Sequence, residues 1–162
     1  MYKKQLLDNL HREIVLLKQL TPLIDEKYLN FRITEKARST LELMQYLSGI
    51  GAVMMRWFIK NDLNPAEWEK IRAYRKTLTI QNFNERLDEQ WEEIKAYMDM
   101  VTEADLMTME VELPWKEKMM LGSAIINCPI KWLTTYRMQL FMYLKLNGKT
   151  EISTKEAWNV LA

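Results

Sequence analysis

Pro129–Gly148, PIKWLTTYRMQLFMYLKLNG, is the longest apolar run with helical spacing in the chain, and it ends in a clean stop. Ile130, Leu133, Leu140 and Leu144 recur at helical intervals, with Trp132, Tyr136, Gln139 and Tyr143 in a second stripe beside them. A helix with two such stripes must be covered on more than one side, so the spacing places it in the middle of a bundle. Gly148, after Lys145 and Asn147, can take positive φ at a helix C-terminus, and the lysine suits the negative end of the helix dipole.

The composition around this stretch agrees. Of 162 residues only 4 are glycine and 4 proline, whereas Leu, Met, Glu and Lys abound, which favours helices and leaves little room for strands. This length suits one domain with a sizeable core, and residues 1–162 are read as one. The 23 Lys plus Arg and 22 Asp plus Glu are interleaved and leave a formal charge of +1, which counts against nucleic acid or an anionic membrane surface as the main partner. No apolar run approaches the ~18 residues of a membrane span. Lys3 and Lys4 are followed by Asp8, His11, Arg12 and Glu13, which interrupt the apolar segment that a signal peptide needs. A cytoplasmic protein is expected, and the single cysteine, Cys128, fits a reducing compartment.

In chain order, Leu6, Leu10, Ile14 and Leu17 mark a first long helix from Tyr2 to about Leu20, stopped or kinked at Thr21-Pro22. Tyr28 to Ile33 reads as an irregular link. Thr34 or Ser39 can cap the next helix, and Ser39 is preferred because Glu42 follows at capping-box spacing. Leu43, Leu47, Ile50, Met54 and Trp57 then predict a second long helix to about Lys60. Gly49 and Gly51 inside it cost roughly 1 kcal/mol each against alanine, which close packing against a neighbour explains. Asn64 and Pro65 open a short helix to about Arg75, whose basic end, Arg72 to Lys76, reads as solvated rather than as a binding patch. A third long helix starts at Asn82 or Asn84 and carries Phe83, Leu87, Trp91, Ile94, Met98 and Val101 on one face, with Glu85, Asp88, Glu89, Glu92 and Glu93 on a solvated one. Met107, Met109, Val111 and Leu113 alternate with polar residues and predict a strand ended by Pro114, pairing with Thr77–Ile80 or with a copy in a second subunit. Helix resumes from about Glu117 and is kinked by Pro129. Ser153 or Thr154 caps a last short turn that closes Trp158 and Leu161 over one end of the bundle.

Four amphipathic helices with short links describe a four-helix bundle, and bundles often hold metals, so the ligand inventory matters. His11 is the only histidine and Cys128 the only thiol, too few for the common zinc or di-iron patterns. His11 reads as a helix-surface residue and Cys128 as core. Phosphate loops, nucleophile elbows and Cys-x-x-Cys pairs are absent. Met44, Met54 and Met98, among the 12 methionines, fall on core stripes and read as packing.

Three segments together resemble the DinB/YfiT-like superfamily: Asn30-Phe31-Arg32-Ile33-Thr34-Glu35-Lys36, then Arg38-Ser39-Thr40-Leu41-Glu42-Leu43-Met44-Gln45-Tyr46-Leu47, and Tyr136 to Lys145. The resemblance implies an all-α, up-down-down-up four-helix bundle with short extra helices and one short strand, often a homodimer. Its better-known members use a divalent metal held by three histidines for thiol-dependent transfer, isomerisation or hydrolysis. Here Tyr46 replaces the histidine expected in Leu-x-x-His-Leu, and Trp132 and Tyr136 replace the pair expected four residues apart on the last long helix. An indole nitrogen only donates, and a phenol with a pKa of roughly 10 must lose its proton before it can bind a metal. No metal and no other cofactor is therefore carried over. One reading is a metal-free member that binds a small ligand or a partner at Tyr46, Trp132 and Tyr136. The other is an enzyme in which Tyr46 or Tyr136, with Arg137 or Gln139 nearby, donates a proton to a substrate in the former metal pocket.

Overall fold

A computed structural model of the chain describes residues 1–160. Helix α1 runs from Tyr2 to Leu20 and buries Leu6, Leu10, Ile14 and Leu17, the stripe read from the sequence. Pro22 lies at the start of a 3-10 turn, Thr21–Leu23, and a second such turn, Glu26–Tyr28, leads into the link before α2. Helix α2, Thr40–Leu47, opens with the expected capping box: Glu42 N–H donates to Ser39 Oγ at 3.2 Å, and Ser39 N–H donates to Glu42 Oε2 at 2.7 Å.

The second long helix is not continuous. It breaks at Ser48 and Gly49 and resumes as α3, Ile50–Ile59. Gln90 bridges the break from a neighbouring helix: its Nε2 donates to the Leu47 carbonyl at 2.9 Å, and its Oε1 accepts from Gly51 N–H at 2.7 Å. Both backbone groups freed by the interruption thus find a buried partner. Close packing explains Gly51, where a Cβ would come within 3.0 Å of Gln90 Oε1 and of Ile94 Cδ1. Gly49 instead marks the break itself, with only the Arg75 side chain near its missing Cβ.

Asn64 caps α4, Pro65–Lys76, with Pro65 in its first turn. Helix α5, Ile80–Asp99, begins earlier than expected because Thr79, rather than Asn82 or Asn84, is the cap; Asn82 completes its capping box. Phe83, Leu87, Ile94 and Met98 are buried where α5 meets α1 and α3. Trp91 is half-buried and packs its ring 4.6 Å from that of His11, which lies on the surface. The α5 carboxylates face out.

The predicted strand is found in its second half. Met107 and Thr108 end α6, Glu103–Thr108, which Thr102 caps, whereas Met109 is extended and leads into β1, Glu110–Glu112. It pairs antiparallel with β2, Lys118–Met120, Val111 opposite Met119, rather than with Thr77–Ile80. The turn chemistry accounts for this: Pro114 follows Leu113, Lys116 adopts φ 73°, and Leu113 N–H donates to the Glu117 carbonyl at 2.7 Å. Glu117 therefore leads into a strand instead of a helix. Helix α7, Leu121–Ile125, passes through a π turn, Ile126–Ile130, into α8, Lys131–Leu146. The widened turn accommodates Pro129, which has no N–H to donate. Gly148 has φ 96° beyond the end of α8, as expected.

Ser153 caps α9, Thr154–Trp158. Trp158 is 44% exposed, and Leu161 lies outside the described residues. The buried apolar residues of α1, α2, α3, α5 and α8 form one core cluster. Among the described residues no helix is long and apolar enough to cross a membrane.

Candidate functional site

Helices α2 and α8 pack against each other and bring Tyr46 and Tyr136 together. Their rings meet edge to face with centroids 4.8 Å apart, a favoured arrangement for aromatic quadrupoles. Trp132, one turn before Tyr136, has its ring 6.3 Å from that of Trp115 in the β1–β2 turn. Cys128 is fully buried, and burial pushes its thiol up to about 11, so it is a poor nucleophile.

The two other residues singled out from α8 are engaged elsewhere. Arg137 is 0% exposed and directed toward α1 and α9, where Nε donates to Glu13 Oε2 at 2.6 Å and Nη2 to Glu13 Oε1 at 3.3 Å. It also donates to the Ala157 carbonyl and lies 4.9 Å from the Trp158 ring. Gln139 donates to Tyr143 Oη at 2.9 Å, and Tyr143 Oη donates to the Arg38 carbonyl, also at 2.9 Å. Gln139 thus serves the site indirectly, by fixing the backbone just ahead of the α2 cap.

The residue fixed in this way is one that the sequence reading left without a role. Arg38 holds its guanidinium 4.2 Å from the Tyr46 centroid and 5.0 Å from that of Tyr136, spanning both rings. A second guanidinium, Arg75 from the last turn of α4, lies 5.6 Å from the Tyr46 ring. Arg75 Nε and Nη2 are buried and have no hydrogen-bond partner among the described residues. The end of α4 is therefore not simply solvated, as its basic composition suggested. A signal for this was present in the sequence: the positions three and four away from Arg75 are Ile71, Arg72, Leu78 and Thr79, so no carboxylate of its own helix surface can neutralise it.

Between α2 and α4 these side chains line an open cleft of ≈ 320 Å³, with Arg38, Glu42, Tyr46, Arg72, Arg75 and Lys76 on its walls. Glu42 is already committed to Ser39 N–H and to Arg32, 3.4 Å away. Burial, and next the proximity of Tyr136, push the Tyr46 phenol up to about 12, although Arg38 and Arg75 pull the other way. Tyr46 is consequently a neutral hydrogen-bonding phenol throughout the physiological range. Burial draws the Arg75 pKa down, and the like charge of Arg38 adds to that.

Among the described residues no group of three or more His, Cys, Asp or Glu side chains is placed to hold a metal ion. No family model matches the chain, and no curated protein matches it. Its fold is nevertheless shared with a known structure. The crystal structure of a DinB-like protein from Bacillus subtilis, YjoA, superposes with a TM-score of 0.67 at 15% identity, over 92% of this chain and 95% of that one. The chain has a DinB-like, mostly α-helical fold.

Proposed function

We propose that this DinB-like bundle works without the three-histidine metal centre of its better-known relatives and binds a small ligand in the cleft beside Tyr46. The residues at the positions that the resemblance assigns to the metal do not fit a divalent cation. Trp132 has only an indole N–H to offer, Tyr46 holds its proton up to about 12, and the Arg38 guanidinium already stands over both phenol rings. A second cation there would meet the fixed positive charge of Arg38, and Glu42, the carboxylate in the cleft wall, is already held by Ser39 N–H and Arg32.

The observation that carries the reading is the hollow itself, open to solvent, ≈ 320 Å³ in volume, and lined by an aromatic ring and several hydrogen-bond donors. That volume is at the lower end for small-molecule sites. The Tyr143–Arg38 contact holds one wall in place, so the geometry is set before a ligand arrives.

The test combines metal analysis of protein purified without chelator with thermal-shift measurements in nickel, zinc and manganese. Neither stoichiometric metal nor stabilisation by any of the three ions is expected. A small-molecule screen read by amide NMR should place the responses of its binders at Arg38, Tyr46 and Arg72. A stoichiometric ion released by Tyr46→Phe, or binders that map consistently to another face, would overturn the reading.

A further inference from the structure

A guanidinium keeps its charge under essentially all conditions, so burying one without an acceptor is costly, and buried arginines are normally paired. Arg137 obeys this rule through Glu13 and Ala157. Arg75 does not: Nε and Nη2 are both buried and unpartnered, and it forms no ion pair among the described residues. Arg38, beside the same Tyr46 ring, forms no ion pair within 4 Å among them, and Glu42 acts on it only through its field. Two like-charged guanidiniums lie beside one aromatic ring, and neither forms an ion pair among the described residues.

The remaining walls of the cleft strengthen this imbalance. Arg72 and Lys76 add positive charge, and Arg72 is only partly offset by Glu69 at 2.9 Å on the exposed helix surface. Glu42, the one carboxylate that lines the cleft, is occupied by the α2 cap and Arg32. The Arg75 head packs beside Gly49, its Nε 3.8 Å from where a Cβ would stand, an ordinary contact distance.

We infer that the cleft between α2 and α4 is a receptor for the carboxylate or phosphate group of a small molecule, with the Arg75 and Arg38 guanidiniums as paired donors and the Tyr46 ring as the floor between them. The inference rests on the ligand-binding reading above and adds the chemical class of the ligand. A planar fork of N–H donors matches two oxygens of one oxyanion, and such charge-assisted bonds are about twice as strong as neutral ones. Such a group would offset the Arg75 charge and meet its head at Nη1, since Nε and Nη2 are closed off from solvent.

The experiment titrates wild type with inorganic phosphate and, separately, with acetate, using chloride at matched ionic strength as the reference, followed by amide NMR and thermal shift. Saturable changes at Arg38, Tyr46 and Arg75 are expected with at least one oxyanion and not with chloride, and the two arms separate a phosphate ligand from a carboxylate. Arg75→Met and Arg38→Met should each weaken binding by about tenfold, as loss of a charge-assisted hydrogen bond implies. Lys116→Met, which removes an exposed pair with Glu112 remote from the cleft in the chain, should change nothing. Thermal melts of each variant establish that it is folded. Equal oxyanion binding by wild type and Arg75→Met, or none in folded wild type, would overturn the inference. If the protein also proves free of metal, that failure leaves the broader ligand-binding reading standing, whereas stoichiometric metal would remove the broader reading first.

Discussion

Arg137 and Arg75 are both drawn out of water, and their surroundings could hardly differ more. Around Arg137, α1 supplies Glu13 in a two-pronged ion pair, α9 supplies the Ala157 carbonyl, and the Trp158 ring lies alongside. This arginine ties the last short helix to the first long one, and Arg12 adds a bond from its guanidinium to the Trp158 carbonyl at 2.5 Å. Around Arg75 there are an aromatic ring and a second arginine, and its buried Nε and Nη2 have no hydrogen-bond partner among the described residues. A charge whose donors are satisfied within the chain contributes to the fold. One left unsatisfied lowers stability, and it is retained where something else supplies the acceptor.

The comparison is tested most severely at Arg137. Arg137→Met leaves the Glu13 carboxylate buried and unpaired, and it should cost about 3–5 kcal/mol in urea unfolding, with α9 released from α1. Adding Glu13→Leu to that variant should recover much of the loss, because the orphaned charge is gone. A cost under about 1 kcal/mol for the single change would mean that the ion pair contributes nothing. Gln90 comes next, as a buried polar side chain with two partners. Gln90→Leu strands the Leu47 carbonyl and Gly51 N–H at the α2–α3 break, and it should cost about 2 kcal/mol by the same measurement.

Arg75→Met sharpens the comparison from the other side. Since no partner is stranded, stability without ligand should stay within about 1 kcal/mol of wild type or rise. A loss above about 2 kcal/mol would show that Arg75 has an internal partner in solution, and the contrast with Arg137 would fail.

The sequence was readable where a signal is local and repeated. The α1 stripe, the α2 capping box at Ser39, Asn64 before Pro65 and Gly148 after α8 each depend on residues within a turn or two of one another, and each is found as expected. Part of what escaped depends on residues far apart: the break at Gly49 is made tolerable by Gln90, 39 positions away from Gly51. The rest was local but outweighed by apolar periodicity, as with the Thr79 and Thr102 caps and the Leu113–Glu117 turn that commits Lys118–Met120 to pair with β1. The candidate site divides in the same way. Tyr46 and Tyr136 were legible as a pair through the family resemblance, whereas Arg137 turns to Glu13 and Gln139 reaches Arg38 only through Tyr143, because sequence spacing gives a helix face but not what lies opposite it. Arg38 and Arg75 were overlooked because a basic residue near a helix end is ordinarily solvated.

One further effect is seen only in alkali, and it concerns the ring beside the two arginines. Burial raises the Tyr46 pKa from 10.0 to about 12, outweighing the pull of Arg38 and Arg75 toward the phenolate. A group whose folded pKa is raised adds stability in full below its unfolded pKa, and that contribution disappears as pH rises through the folded value. Stability should therefore fall between about pH 10 and about pH 12, and the fall should be shallower in Tyr46→Phe. The phenolate absorbance that Tyr46→Phe removes should titrate well above 10.0 in folded wild type. In Arg75→Met, which loses one of the nearby positive charges, it should move higher still. A Tyr46 midpoint at its ordinary value, unmoved by Arg75→Met, would show that the ring is solvated and that Arg75 does not act on it, leaving the cleft without its floor.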